Sequence, residues 1–316
     1  MIHIQKLAPI TLFTYNRLWH TQQTIKYLSN NQFARDSILY VYSDGPGDEK
    51  AKTGVKEVRK FLTTITGFKD VIVTERKNNF GLAKSITNGV TEIVKRHGKV
   101  IVLEDDLLTS PFFLKYMNEA LEMYQYDEEV ASIHGYTYPV KEQLPDTFFI
   151  KGADCWGWAT WERAWNIYER AGEKLLHQLE EKGFKKEFNF NNSYGYIKML
   201  KDQIKGKNDS WAIIWYASTF LRGMYTLYPF PSLVINIGHD NSGTHSGISN
   251  KMGQTLKMDP VKLNRITVKE NFIARKAFEN YFRNLSGIKR LIERIRSKLI
   301  FLFKKYENTN QKVCRS

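Results

Sequence analysis

Four consecutive apolar residues, Val100 to Leu103, run directly into three acidic ones, Glu104, Asp105 and Asp106. A short apolar run with polar flanks is typical of a strand buried on both faces of a parallel sheet. Ligands of open α/β sheets bind beyond the carboxyl ends of such strands. Three adjacent carboxylates repel one another unless a cation lies among them. The run therefore predicts a buried strand with a cation-binding site at its carboxyl end.

The hard cations Mg²⁺ and Mn²⁺ prefer carboxylate oxygen, keep several waters and are often shared with substrate phosphates. A metal-bridged diphosphate is therefore the ligand that the acidic triplet favours. The alternative is an acidic cap for a helix that begins at Pro111, after Thr109 or Ser110. Taken alone, the triplet fits both interpretations about equally.

The first third of the chain alternates strand-like runs with helical patterns. The runs lie at 9–14, 38–42, 71–74 and 100–103, and helical spacing of apolar residues fills the intervals. This alternation predicts βαβ units and a mostly parallel sheet flanked by helices. Polar loops follow the first two runs at 15–17 and 43–47, so several loops are expected to meet at one ligand.

The composition excludes some classes of protein. The formal charge is +14, from 47 Lys and Arg against 33 Asp and Glu, which favours anionic partners. The two cysteines, Cys155 and Cys314, are too few for a disulfide or zinc framework, which suggests a reducing compartment. No run approaches the length of about 18 apolar residues that a membrane span needs. We expect a cytoplasmic location.

The middle of the chain is less regular. The polar segment 185–192 predicts a loop, and the proline-interrupted run 227–236 predicts an edge strand. A glycine-rich turn is expected over 238–247.

From about Val261 the composition changes. Apolar residues at helical spacing from Ile288 to Leu299, surrounded by lysine and arginine, predict a basic amphipathic helix. Such a helix lies in a membrane interface or docks on the protein, and the apolar run Ile300 to Phe303 favours the membrane. The prediction is a peripheral contact on the inner face of the cell membrane.

The motifs, taken in order, resemble the GT-A class of nucleotide-sugar-dependent glycosyltransferases. The segments that carry the resemblance are Phe13–Arg17, Ser43–Gly45, Asn79–Ala83 and Glu104–Asp106. The acidic triplet is similar to that of N-acetylglucosaminyltransferase I-like enzymes. Further likeness to bacterial polysaccharide glycosyltransferases lies in Cys155–Trp161 and in 238–247.

The resemblance covers roughly residues 9 to 250 and implies an α/β, Rossmann-like GT-A domain over 1–260. Its nucleotide-sugar-binding half is expected to end near residue 125 and its acceptor-binding half to span 126–260. A basic helical tail is expected over 261–316.

The resemblance implies a site for a nucleotide sugar, most simply a UDP-sugar, with Mn²⁺ or Mg²⁺. Asp106 is expected to hold the metal, with His239 as a further ligand, and Asp240 to complete the metal or diphosphate site or to face the acceptor. Asp44 could instead be a turn residue, Lys84 a solvated charge and His239 an exposed loop residue. The residues expected to contact the donor are Thr14, Arg17, Asp44, Asn79, Lys84, Glu104 and Asp105.

An inverting transferase needs one general base for the acceptor hydroxyl. By resemblance, Asp209 occupies the place of that base, and Asp154 is the reserve candidate. Asp209 also precedes a predicted helix, so a cap is its structural alternative.

Three tryptophans, Trp156, Trp158 and Trp161, are candidates for an apolar wall against the acceptor sugar. Their spacing does not form one helical stripe, which favours a shaped loop, although core packing explains them nearly as well.

These features predict a metal-dependent, inverting glycosyltransferase that acts on a glycan or lipid-linked saccharide in surface polysaccharide synthesis. One alternative is a sugar nucleotidylyltransferase, although Thr14 to Arg17 lacks the glycines of that class's phosphate loop. A second is a non-catalytic nucleic-acid-binding protein, suggested by the charge alone. Since no known nucleic-acid-binding module is recognisable, no nucleic-acid partner is expected.

Overall fold

The computed structural model of the protein describes residues 6–238 and 256–285. Its strands are β1 Ile10–Thr14, β2 Ile38–Ser43, β3 Asp70–Glu75, β4 Lys99–Glu104, β5 Leu107–Thr109, β6 Val130–His134, β7 Thr147–Ile150, β8 Trp158–Trp161, β9 Tyr225–Pro229 and β10 Val234–Asn236. Eight of them form one sheet in the order β3-β2-β1-β4-β8-β6-β9-β7, and β10 pairs with β5 separately.

Helices cover the sheet and connect its strands. They are α1 Leu18–Ser29, α2 Glu49–Leu62, α3 Leu82–His97, α4 Phe113–Met123, α5 Glu162–Trp165, α6 Gly172–Glu181, α7 Lys185–Phe188, α8 Tyr196–Ile204 and α9 Trp211–Leu221. A further helix covers 272–285.

The strands β3, β2, β1 and β4 are parallel neighbours, connected by α1, α2 and α3. In β1, β2 and β4 the apolar side chains are buried, which explains why these three strands read as continuous apolar runs, whereas β3 is an edge strand whose side chains are partly or fully exposed. The antiparallel strand β8 follows β4 in the sheet. The predicted α/β class, with a large, mostly parallel, Rossmann-like sheet flanked by helices, is confirmed.

Two groups of buried side chains stabilise the domain. The larger one lines the sheet and includes Trp158, whose ring stacks on Trp211 with centroids 5.3 Å apart. The smaller one lies under α6 to α9 and takes Phe278 and Phe282 from the helix over 272–285. Residues 261–285, assigned to the tail in the sequence, thus contribute to the packed body, and the predicted amphipathic helix beyond them lies outside the described residues.

Two local predictions are wrong. Segment 185–192 is not a plain loop, because it contains the short helix α7, where Phe188 is buried against the smaller core. Run 227–236 is not one edge strand. Its first half belongs to β9, which lies between β6 and β7, and its second half forms β10 beside β5. The chain leaves the first sheet at Phe230 and Pro231, and the bond between them is cis.

No helix in residues 6–238 or 256–285 is long and apolar enough to span a membrane.

Candidate active site

The acidic triplet lies at the carboxyl end of β4, a central strand of the sheet. Glu104 ends β4 directly opposite Phe13 of the neighbouring β1. The carbonyl of Asp105 accepts a hydrogen bond from Thr24 Oγ1 of α1, 2.8 Å away, and the carbonyl of Asp106 accepts one from the Ile237 amide at the same distance. The strand β5 separates the triplet from α4, so the alternative of an acidic helix cap is wrong.

Arg17 bridges the last two acids of the triplet. Its Nη2 atom donates to Asp105 Oδ1 and to Asp106 Oδ2, the latter at 2.8 Å. The side chains of Arg17, Asp105 and Asp106 are only 16%, 6% and 13% exposed. Burial alone would lower the pKa of Arg17, but the two carboxylates outweigh it and leave the pKa raised. The guanidinium therefore occupies the cation position that the triplet predicts.

The pKa values of two carboxyl groups of the triplet, Glu104 and Asp105, are raised in the same environment. Burial, followed by repulsion from Asp106 and Asp105, raises the pKa of Glu104 to about 8. Burial also raises the pKa of Asp105, against the opposing attraction of Arg17. One guanidinium thus faces three crowded carboxyl groups, which favours the arrival of further positive charge.

Two observations fit a divalent cation at this place. The second oxygen of Asp105, Oδ2, is buried without a hydrogen-bond partner. Gly238 closes the other side so tightly that a Cβ there would lie 2.1 Å from Asp106 Oδ2. Within the described ranges, however, no three His, Cys, Asp or Glu side chains are grouped as metal ligands. Two carboxylates suffice for a cation that takes its other ligands from water and a substrate diphosphate.

Asp44 fixes the loop that follows β3. Its carboxylate accepts hydrogen bonds from the backbone amides of Gly45, Phe80 and Gly81 at 2.9 to 3.1 Å. Asn79 strengthens the same link, because its side-chain amide donates to the Gly45 carbonyl at 2.8 Å. The acceptor positions of Asp44 are thus used within the protein, and the carboxylate shapes the predicted donor loop.

Phe80, at the centre of that loop, is contacted by two cations. The Arg76 guanidinium lies 4.5 Å from the centre of the Phe80 ring, and Lys84 Nζ lies 4.5 Å from the same centre. Arg76 is buried and donates to Ser85, whereas Lys84 is exposed. The sequence offered one signal for Arg76, its position directly after β3, where a parallel strand presents its carboxyl end.

Asp209 contacts the N-terminus of α3 from a distant part of the chain. Its Oδ2 accepts a hydrogen bond from the Ala83 amide at 3.2 Å, at the first turn of α3. Ser210, not Asp209, caps α9, since its hydroxyl accepts from the Ile213 amide. Asp209 is itself exposed. Its local cap alternative is therefore wrong in detail: the carboxylate is at the N-terminus of a different helix.

Asp154, the reserve base, is held by two tyrosines. The hydroxyls of Tyr138 and Tyr228 donate to its carboxylate, the second at 2.8 Å. Burial raises the pKa of Asp154, and these two hydrogen bonds oppose that rise. Both oxygens already have donors, which makes Asp154 a weaker candidate for a base than the exposed Asp209.

The three tryptophans do not form one wall. Trp158 and Trp161 lie in β8 and are 0% and 5% exposed, so their predicted contact with an acceptor is wrong. Successive side chains of β8 point to opposite faces of the sheet, and all four of its residues are buried, so neither face is open to an acceptor. Trp156, in the preceding loop, is partly exposed and packs edge-on against Tyr136, with ring centroids 4.7 Å apart.

Thr14 ends β1 opposite Ser43, and its hydroxyl is buried. His239 and Asp240 lie outside the described residues, directly after Gly238 in the chain.

No protein-family model and no curated protein matches the chain. Among solved structures it is similar to the mannosyltransferase PcManGT from Pyrobaculum calidifontis in complex with GDP-Man and Mn²⁺, at 14% identity and a TM-score of 0.31, over 44% of this chain and 38% of that one. It is similar to TarS from S. aureus in complex with UDP-GlcNAc, at 16% identity and a TM-score of 0.31, over 46% of this chain and 39% of that one.

A third similar structure is a UDP-glucose pyrophosphorylase complexed with UDP-glucose, at 13% identity and a TM-score of 0.37, over 71% of this chain and 90% of that one. The chain thus spans about two fifths of the length of the mannosyltransferase and of TarS.

Proposed function

We propose that the protein is a metal-dependent, inverting glycosyltransferase that uses a nucleotide sugar, most simply a UDP-sugar. The observation that carries the proposal is the meeting of Arg17 with Asp105 and Asp106 at the carboxyl ends of β1 and β4. The donor loop that Asp44 organises follows β3 of the same parallel group. Positive and negative groups at one strand edge suit a diphosphate that arrives with a divalent cation.

In this proposal, Asp106 and the buried, unpartnered oxygen of Asp105 hold Mn²⁺ or Mg²⁺, with His239 as a further ligand. Bound there, the metal supplies Lewis-acid neutralisation of the charge that grows on the leaving diphosphate. Arg17 is proposed to contribute a second positive charge to the oxygens of the diphosphate. Glu104, whose pKa burial raises to about 8, is proposed to contact the donor or to orient the acidic turn.

Asp209 is the proposed general base. The acceptor hydroxyl attacks the anomeric carbon, the bond from that carbon to the diphosphate oxygen breaks, and Asp209 takes the hydroxyl proton. Its exposure and its contact with the amide of Ala83, at the edge of the donor loop, support this role. A carboxylate that is solvent-accessible beside the donor can reach a hydroxyl that a buried one cannot.

Asn79, Lys84 and Thr14 are proposed to contact the donor, and Trp156 to contact the acceptor sugar together with Asp240. The partly exposed ring of Trp156 beside Tyr136 gives an apolar face of the kind that packs on sugars. The proposed acceptor is a glycan or a lipid-linked saccharide in surface polysaccharide synthesis. A peripheral membrane contact through the basic tail would bring the enzyme to a lipid-linked acceptor.

The test is donor turnover with a panel of nucleotide sugars in the presence of Mn²⁺, followed as release of the nucleoside diphosphate. One UDP-sugar is expected to turn over, and Asp106→Asn to abolish this activity because the metal loses its main carboxylate. Asp36→Asn is the matched control, because Asp36 is an exposed acid in the short 3₁₀ helix Ala34–Asp36. Release of pyrophosphate from UTP and a sugar 1-phosphate, with no transfer, would instead identify a nucleotidylyltransferase.

A further inference from the structure

Arg17 occupies the space between the two carboxylates that the proposed metal must share. Its Nη2 atom contacts Asp105 and Asp106 at once, and Gly238 closes the remaining side of Asp106. The three charged side chains are all largely shielded from water. A divalent cation and this guanidinium cannot both lie against Asp106 Oδ2 without strong repulsion, since like charges a few ångströms apart repel strongly away from bulk water.

We propose that Arg17 is an internal counter-cation that competes with the metal for Asp106 and makes metal binding depend on a diphosphate. The proposal rests on the metal-dependent function proposed above. Without a ligand, the guanidinium neutralises the acid pair. When a nucleoside diphosphate arrives, its oxygens offer Arg17 a second anionic partner, and Asp106 becomes available to the metal.

The contacts of the Arg17 guanidinium support this exchange of anionic partners. Nη2 makes both carboxylate contacts, whereas Nη1 is buried without a hydrogen-bond partner. An arginine has five N–H donors in a planar fork, and forked donation to phosphate oxygens is one of its strongest interactions. The protein itself thus leaves part of the fork without an acceptor, and a diphosphate would supply one.

The consequence is a thermodynamic coupling with a definite sign. If the diphosphate removes Arg17 from Asp106, it raises metal affinity, and by reciprocity the metal raises diphosphate affinity by the same factor. Removing the guanidinium should have opposite effects on the two ligands. Metal binding without nucleotide should strengthen, while nucleotide binding should weaken. An arginine that only held the diphosphate would leave metal binding without nucleotide unchanged.

The experiment measures binding of Mn²⁺ to the full chain by electron paramagnetic resonance of the free ion, with and without saturating UDP. In the wild type, UDP is expected to raise Mn²⁺ affinity at least 10-fold. Arg17→Gln should bind Mn²⁺ alone at least 10-fold more tightly than the wild type does, and UDP should then raise its affinity by less than 3-fold.

Arg96→Gln is the matched control, because it removes the same charge from an exposed arginine in the last turn of α3. It should behave as the wild type. Thermal unfolding of Arg17→Gln should respond to Mn²⁺ alone, since the metal replaces the lost counter-charge of a shielded acid pair.

Equal Mn²⁺ affinity of Arg17→Gln and wild type without UDP would overturn the competition while leaving the metal site intact. If Arg17→Gln does not fold, the wild type still decides the matter: Mn²⁺ affinity that is independent of UDP and of GDP contradicts the coupling. Absence of Mn²⁺ and Mg²⁺ binding under all conditions, with the nucleotide bound, would remove the metal-dependent function itself and the inference with it.

Discussion

The carboxylate of Asp209 accepts a hydrogen bond from the backbone amide of Ala83 across 3.2 Å, although 126 positions separate the two residues in the chain. This contact joins the second half of the described chain to the first turn of α3, directly after the loop that follows β3. The hydrogen bond satisfies one of the amides that have no partner within the helix, and it fixes the position of the carboxylate. The proposed base is therefore held at a defined place beside the N-terminus of α3.

Asp209→Asn should keep the fold and the affinity for UDP, because asparagine also caps helix N-termini well. The rate of transfer should fall by about 100-fold or more, since the amide cannot take the acceptor proton. Single-turnover transfer with saturating donor measures this. Asp202→Asn on the neighbouring helix α8 is the control and should retain full activity. Loss of UDP affinity with an unchanged rate would assign Asp209 to the donor loop instead.

Gly238→Ala tests how closely the chain approaches Asp106. The added methyl carbon would lie 2.1 Å from Asp106 Oδ2, so either the segment after β10 or the carboxylate must move. Metal-dependent binding of UDP should weaken at least 10-fold, whereas the melting temperature should change by only a few degrees, because a single methyl group is added and the shift it forces is local. Calorimetric titration of UDP with Mn²⁺ measures the effect. Gly195→Ala, an exposed position where an added Cβ would lie 3.9 Å from its nearest neighbour, Lys198 Cβ, is the control for the substitution itself.

His134 should make stability depend on pH. It is fully buried in β6 beside the ring of Tyr228, and burial lowers its pKa from 6.5 to about 3. Between about pH 3 and pH 6.5, the unfolded chain therefore binds a proton at His134 that the folded chain does not bind. Stability is lost as the pH falls from about 6.5 towards 3, and the loss at pH 5 is about 2 kcal/mol.

Denaturant unfolding at pH 7 and pH 5 checks this prediction. His134→Phe, which is uncharged at both pH values, should lose about 2 kcal/mol less than the wild type over this interval. His177→Gln, whose side chain is 78% exposed on α6, should follow the wild-type dependence. An identical pH dependence of wild type and His134→Phe would show that the buried imidazole does not control this transition.

Substitution of Trp158 should mainly lower the stability of the protein, whereas substitution of Trp156 should mainly weaken binding of the acceptor. Trp158→Ala removes a fully buried indole from the larger core and should cost about 3 to 5 kcal/mol of the free energy of unfolding. Trp156→Ala should cost less, because its ring is partly exposed, and should instead raise the KM for the acceptor at an unchanged KM for the donor. Denaturant titration and steady-state kinetics separate the two effects. A large loss of stability in Trp156→Ala would place that ring in the core as well.

The sequence by itself determined the alternation of strands and helices in the first half of the chain. A continuous apolar run such as Val100 to Leu103 is typical of a strand buried on both faces, and the polar residues after it mark its carboxyl end. The same local pattern placed the acidic triplet at the carboxyl end of that strand. These predictions succeed because burial and periodicity act within a few neighbouring residues.

Only the tertiary structure decided which side chains meet. The guanidinium of Arg17 on the acid pair, the amides of Phe80 and Gly81 on Asp44, and the burial of Trp158 all depend on strands that are neighbours in the sheet and distant in the chain. The same holds for the run 227–236, whose two halves join different sheets. Long-range pairing of this kind leaves no periodic signal, because the partner of each residue is chosen by the packing of the whole sheet and not by its neighbours in sequence.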